Sequence, residues 1–67
     1  MLGETIKKVY EITSTNPEYQ RIYISKDEAH AVVIFTDHAF EIFEGKIKTI
    51  DPEDAKEKIK QFNLRGM

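Results

Sequence analysis

The side chains best suited to chemistry in this chain are its two histidines, His30 and His38, with Asp37 beside the second. An imidazole can act as a general base or metal ligand near neutral pH, and a neighbouring carboxylate can orient it. If the intervening residues are extended, the two histidines stand at opposite ends of one strand, roughly 26 Å apart at ~3.3 Å per residue. One metal ion cannot bridge that span, so no metal site is expected. Asp37-His38 is also a turn-forming pair, and turn formation accounts for both residues. Ser14, Ser25 and the threonines lack the context of a nucleophile elbow. The glycines are scattered, which excludes a phosphate-cradling loop. Glu41 is expected to oppose Lys48 across a hairpin, a pairing worth about 0.2–1 kcal/mol. Glu53, Asp54 and Glu57 fall on a solvated helix face. The residues therefore read as a non-enzymatic protein with no catalytic group, no cofactor and no small-molecule substrate.

The elements that position these side chains are clearest between Arg21 and Ile50. Arg21 to Ser25 alternates, with Ile22 and Ile24 on one side and Arg21 and Tyr23 on the other. Lys26 to Ala29 reads as a four-residue hairpin loop. His30 to Thr36 carries the near-continuous apolar run Ala31-Val32-Val33-Ile34-Phe35, typical of a central strand covered on both faces. A two-residue turn at Asp37-His38 leads into Ala39 to Phe43, and Glu44-Gly45 is a strong turn because glycine supplies positive φ at no steric cost. Lys46 to Ile50 is a short last strand. These turns predict the pairs Ile24–Ala31, Tyr23–Val32, Ile22–Val33, Phe35–Phe40, Val33–Ile42, Val32–Phe43, Ile42–Ile47, Phe40–Thr49 and Glu41–Lys48. Directly opposed residues share a face. One face thus carries Ile22, Ile24, Ala31, Val33, Phe35, Phe40, Ile42 and Ile47, with Phe40 and Ile42 expected to be well buried.

A C-terminal helix follows from Asp51 as N-cap, Pro52 at the first helical position, and Glu53 and Asp54 in the first turn. Ala55, Ile59 and Phe62 form its predicted buried stripe, Lys56, Lys58 and Lys60 lie toward water, and Asn63 or Gly66 ends it. It is expected to cover the Ile22–Ile47 face. The N-terminal segment 5–13 fits two periods. Ile6, Tyr10 and Ile12 share strand parity, whereas Leu2, Ile6, Val9 and Thr13 follow a helical stripe. Its β-branched and aromatic content favours strand. Ser14-Thr15-Asn16-Pro17 is loop chemistry. The expected fold is α+β: a small antiparallel meander of four strands, joined by an N-terminal strand, with one C-terminal helix on one face.

Size and charge bound the function. A chain of 67 residues forms a single domain, 1–67, that buries only about 60% of its unfolded surface. Without cysteine it has neither disulfides nor thiolate metal sites for support, which leaves association as the usual remedy. A net charge of −2 provides no general attraction to nucleic acid or membrane. Met1-Leu2-Gly3-Glu4 lacks the pattern of a secretory signal and no apolar run reaches a membrane span, so the cytoplasm is the expected compartment. The second sheet face then carries Arg21, Tyr23, Val32, Ile34, Glu41, Phe43, Lys46 and Lys48. Tyr23, Val32, Ile34 and Phe43 make an apolar row with Arg21, Lys46 and Lys48 around it. Either the N-terminal segment folds over this row or Tyr23 and Phe43 are ordinary half-exposed sheet residues, or the patch marks a partner: another protein or a second copy of this chain, as a homodimer. The face or an open strand edge would make the chain an inhibitor, adaptor or self-associating regulatory subunit. A single-stranded nucleic acid stacking on Tyr23 and Phe43 beside Arg21, Lys46 and Lys48 is the alternative. The acidic balance and the absence of a glycine-aromatic RNA-binding motif rank it second.

Overall fold

Residues 3–15 form a helix. In the computed structural model, which describes residues 3–66, α1 spans Gly3–Thr15 with Thr5, Val9 and Ile12 buried. Those positions make an i, i+4, i+7 stripe, while Tyr10 points to solvent at 73% exposure. Leu2, part of the helical pattern considered above, lies outside the described residues. The expected N-terminal strand is therefore a helix. The energetic reason is one of scale. β-Branched residues cost less than about 0.7 kcal/mol each in helix propensity, whereas burying a valine or isoleucine contributes about 1.5–3 kcal/mol. The threonines also find local partners. The Thr13 hydroxyl donates to the Val9 carbonyl (2.9 Å) and the Thr15 hydroxyl to the Glu11 carbonyl. Asn16 closes the helix by donating its backbone N–H and its side-chain amide to the Ile12 carbonyl, and Pro17 cannot extend it.

The sheet is antiparallel throughout. β1 (Arg21–Ile24), β2 (His30–Ile34), β3 (Ala39–Phe43), β4 (Lys46–Ile50) and a short β5 (Arg65–Gly66) lie in the order β4-β3-β2-β1-β5. The first and last turns produce the predicted registers, including Ile22–Val33, Tyr23–Val32, Ile42–Ile47 and Glu41–Lys48. Glu44 (φ 52) and Gly45 (φ 74) take the positive φ values of a two-residue hairpin turn. The middle turn differs. Phe35 donates its N–H to the His38 carbonyl (2.9 Å), so Thr36-Asp37 form the tip and neither Asp37 nor His38 has positive φ. Val33 consequently pairs with Phe40, Ala31 with Ile42 and Val32 with Glu41, in place of Phe35–Phe40, Val33–Ile42 and Val32–Phe43. This slip of two residues leaves every side chain on its face but changes its neighbours.

Each face has its own helix. Val9 and Ile12 of α1 pack with Ala31, Val33, Phe35 and Ile42 on one side. α2 (Pro52–Gln61) covers the opposite side, where Ala55 joins Val32, Ala39 and Leu64. The C-terminal helix thus lies on the face expected to be open. β4 and β5 run parallel at opposite ends of the antiparallel array, so α2 is a crossover connection. Such connections have a nearly invariant hand, and hand selects between two faces that are both apolar. Phe40 is only half-buried, and Ile47 is 45% exposed.

The ends of α2 depart from expectation in detail. Asp51 has the extended backbone of an N-cap, but its side chain makes no capping hydrogen bond. Phe62 is 43% exposed, and Leu64 occupies the buried place expected for it. Asn63 stops the helix at φ 57, and the Leu64 N–H returns to the Ile59 carbonyl (2.9 Å), the closure that turns a chain back after a helix.

Ile42, at 0% exposure, should lose about 2–5 kcal/mol on replacement by alanine, and half-buried Phe40 should lose less. Asp51→Ala should cost no more than about 1 kcal/mol, since only its interaction with the helix dipole disappears. Chemical denaturation of the three variants tests this order, and an Asp51 variant as unstable as the Ile42 variant would contradict the packing described.

Candidate functional site

A buried ionisable cluster lies beneath α2. His30 Nε2 and Glu41 Oε2 are 2.7 Å apart, with side chains only 5% and 10% exposed. Lys58 Nζ approaches the same carboxylate oxygen at 3.5 Å from α2. A carboxylate accepts only, so an ionised Glu41 requires Nε2 to carry the hydrogen of this bond. Glu41 was expected to face Lys48 at the surface. The register explains the difference: His30 pairs with Phe43, which makes Glu41, two residues along β3, its diagonal neighbour on the same face. Lys58 was expected in water, yet its position four residues before Phe62 sets it at the margin of the buried side of α2.

Aromatic rings enclose the histidine. The Phe43 and Phe62 centroids lie 4.8 and 4.6 Å from that of His30. Phe43 and Phe62 are both partly exposed, and with His30, Ser25, Lys26, Asp27 and Ala29 they border an open cleft of about 680 Å³. On the other side of the cluster, Glu41 and Lys58 form part of a groove of about 410 Å³ between α2 and β4.

The cluster has the parts of an oriented base but no activated nucleophile. Ser25 Oγ donates to Asp27 Oδ1 (2.6 Å) and accepts the His30 backbone N–H (3.0 Å), so its hydroxyl is committed to the β1–β2 loop. The Ser25 hydroxyl, followed by the Ala29 amide, holds the Asp27 carboxyl below its usual pKa. At the far end of β2, His38 Nδ1 contacts Asp37 Oδ1 at 2.7 Å and its ring stacks on Phe35. The hydrogen bond to His38 is the main cause lowering the Asp37 pKa. No group of three histidine, cysteine, aspartate or glutamate side chains suited to a metal occurs among the described residues.

The expected apolar row is divided by burial. Val32 is 0% exposed beneath α2, so no partner reaches it while the helix is docked. Tyr23 and Ile34 pack as half-buried neighbours of the same core. Phe43 remains 44% exposed, and Arg21, Lys46 and Lys48 are exposed. The structure therefore keeps Lys46 and Lys48 together on β4 and places Arg21 on β1, with β3 and β2 between. No helix among the described residues is long and apolar enough to cross a membrane. No protein-family model, no curated protein and no solved structure matches this chain.

Removing Glu41 leaves the buried His30 Nε2–H without its acceptor, so Glu41→Ala should destabilise by about 1–3 kcal/mol. Combining Glu41→Leu with His30→Phe removes both polar partners and should restore most of that loss. Denaturant titrations of the single and double variants decide; an additive double variant would mean that the pair is not coupled. Separately, Ser25→Ala should raise the Asp27 pKa toward the ordinary carboxylate value in an NMR titration. Because folding lowers this pKa, its stabilisation is present above the unfolded value near 3.9 and is lost as pH falls through the folded value. Ser25→Ala should reduce that acid-labile contribution.

Proposed function

We propose that this chain is a small non-catalytic interaction module that takes up an extended partner strand along the outer edge of β4. The observation that carries this reading is the pairing of β4 on one side alone: all five of its residues pair with β3 and it ends the sheet. At the other end, β5 covers Tyr23 and Ile24 of β1. Four of the five β4 residues are exposed.

The ladder gives this edge a definite polarity. In a two-residue hairpin the residues flanking the turn form a hydrogen-bonded pair, here Phe43 and Lys46. Lys46, Lys48 and Ile50 then direct their backbone groups to β3, and Ile47 and Thr49 direct theirs outward. Strand addition uses such free donors and acceptors for affinity and alternate side chains for choice of partner. The β4 residues expected to bind a partner, Lys46 and Lys48, stand on this edge. The nucleic-acid alternative receives less support, because α2 packs over Val32 between Tyr23 on β1 and Phe43 on β3.

Thr49→Pro removes an outward donor while sparing the ladder to β3, a position where proline is tolerated in edge strands. Wild-type chain immobilised in native lysate should retain a partner that the folded Thr49→Pro chain loses, with Thr49→Val as the control. Identical capture by all three chains would overturn the edge reading. Equilibrium sedimentation of the purified chain at micromolar concentration tests whether the partner is a second copy.

A further inference from the structure

We infer that the β4 edge selects a strand of another protein in which acidic and apolar residues alternate. The inference rests on the strand-addition reading above and adds the chemistry of the partner. Lys46 and Lys48 project from one side of β4, and Ile47 and Thr49 from the other. Neither lysine enters an ion pair among the described residues. Glu41, opposite Lys48 in the ladder, is turned inward to His30 and Lys58, which leaves Lys48 without its cross-strand carboxylate. Asp54 and Glu57 line the same groove as Lys48 and form no ion pair with it.

Pairing geometry sharpens the choice. A strand added antiparallel forms its hydrogen-bonded pairs at Ile47 and Thr49, so Lys46 and Lys48 fall at the non-hydrogen-bonded pairs. Directly opposed side chains are closest at such pairs, and a carboxylate there meets each ammonium. On the opposite side, Ile47 is 45% exposed and presents an apolar surface to the alternate residues. A second copy fits less well. A continuous sheet requires residues of the same face to meet: the register centred on Thr49 sets Lys48 against Ile50 with no carboxylate opposite it, and those centred on Ile47 or Lys48 set Lys46 against Lys48 or Lys48 against itself. Like charges directly opposed are destabilising. Lysines on an edge strand repel basic strands and discourage apolar ones, and the same charges admit an acidic strand.

The test uses the full chain and three labelled peptides of equal length, alternating valine with glutamate, with threonine or with lysine, followed by fluorescence anisotropy. The glutamate peptide should bind most tightly and weaken as salt rises. Lys46→Glu with Lys48→Glu should weaken it by about two- to thirtyfold, as expected for the loss of two cross-strand ion pairs, and should shift preference to the lysine peptide. A glutamate peptide N-methylated at alternate residues retains its charge but loses ladder donors, and it should not bind. Equal binding of the three unmethylated peptides, with loss on N-methylation, would overturn the acidic preference and leave the edge reading intact. Undiminished binding of the N-methylated peptide would overturn both, since charge alone would then account for association. Dimerisation through β4, abolished by Thr49→Pro in a chain that ignores all three peptides, would overturn the acidic partner in favour of a second copy.

Discussion

Val32 and Val33 are adjacent in β2, point to opposite faces, and are both fully buried. That constraint governs the rest of the molecule. A strand apolar on both sides must be central and must have a cover above and below. A single helix on this sheet would leave either Ala31, Val33 and Ile42 or Val32 and Ala39 in water. α1 and α2 each lie against β2 and β3, one on each face, and the result is three layers from 67 residues.

The cover on the α2 side is not purely apolar. Glu41 and His30 sit beneath it, and Lys58 reaches the carboxylate from the helix itself. A buried hydrogen-bonded pair contributes little net stability compared with a well-packed apolar pair, but leaving one partner unsatisfied is costly. Lys58 extends the cluster to α2 at 3.5 Å, beside the apolar contacts of Ala55 and Ile59. The same inward turn of Glu41 frees Lys48 at the sheet edge, so the buried cluster and the exposed strand are linked through one carboxylate.

The polar groups at the two ends of β2 have different physical settings. His30 lies between two phenylalanine rings and its Nε2 meets Glu41. His38 is a turn residue stacked on Phe35 and joined to its own neighbour in sequence. Neither faces an activated hydroxyl, and the Ser25 hydroxyl serves the β1–β2 loop. Both histidines contact carboxylates, and β4 pairs along one side alone at its end of the sheet.

Much of this architecture is legible along the chain. Alternation from Arg21 to Ile50 and the turns at 26–29 and 44–45 assign strands, faces and two of three registers, because a slip of one residue would expose an apolar set. The Asp51-Pro52 start of α2 is equally local, since it depends on backbone conformation within a few residues. Three features depend on contacts distant in sequence. The segment at 5–13 is compatible with both periods, and burial of Val9 and Ile12 against the sheet makes it a helix. The face covered by α2 is the one that α1 leaves open, and β5, to which α2 leads, has only two residues to announce it. The middle turn can slip by two residues without moving any side chain to the wrong face, so the hydrophobic pattern is blind to the slip. That slip brings Glu41 diagonally beside His30, and the buried cluster comes into being only when the strands and α2 meet.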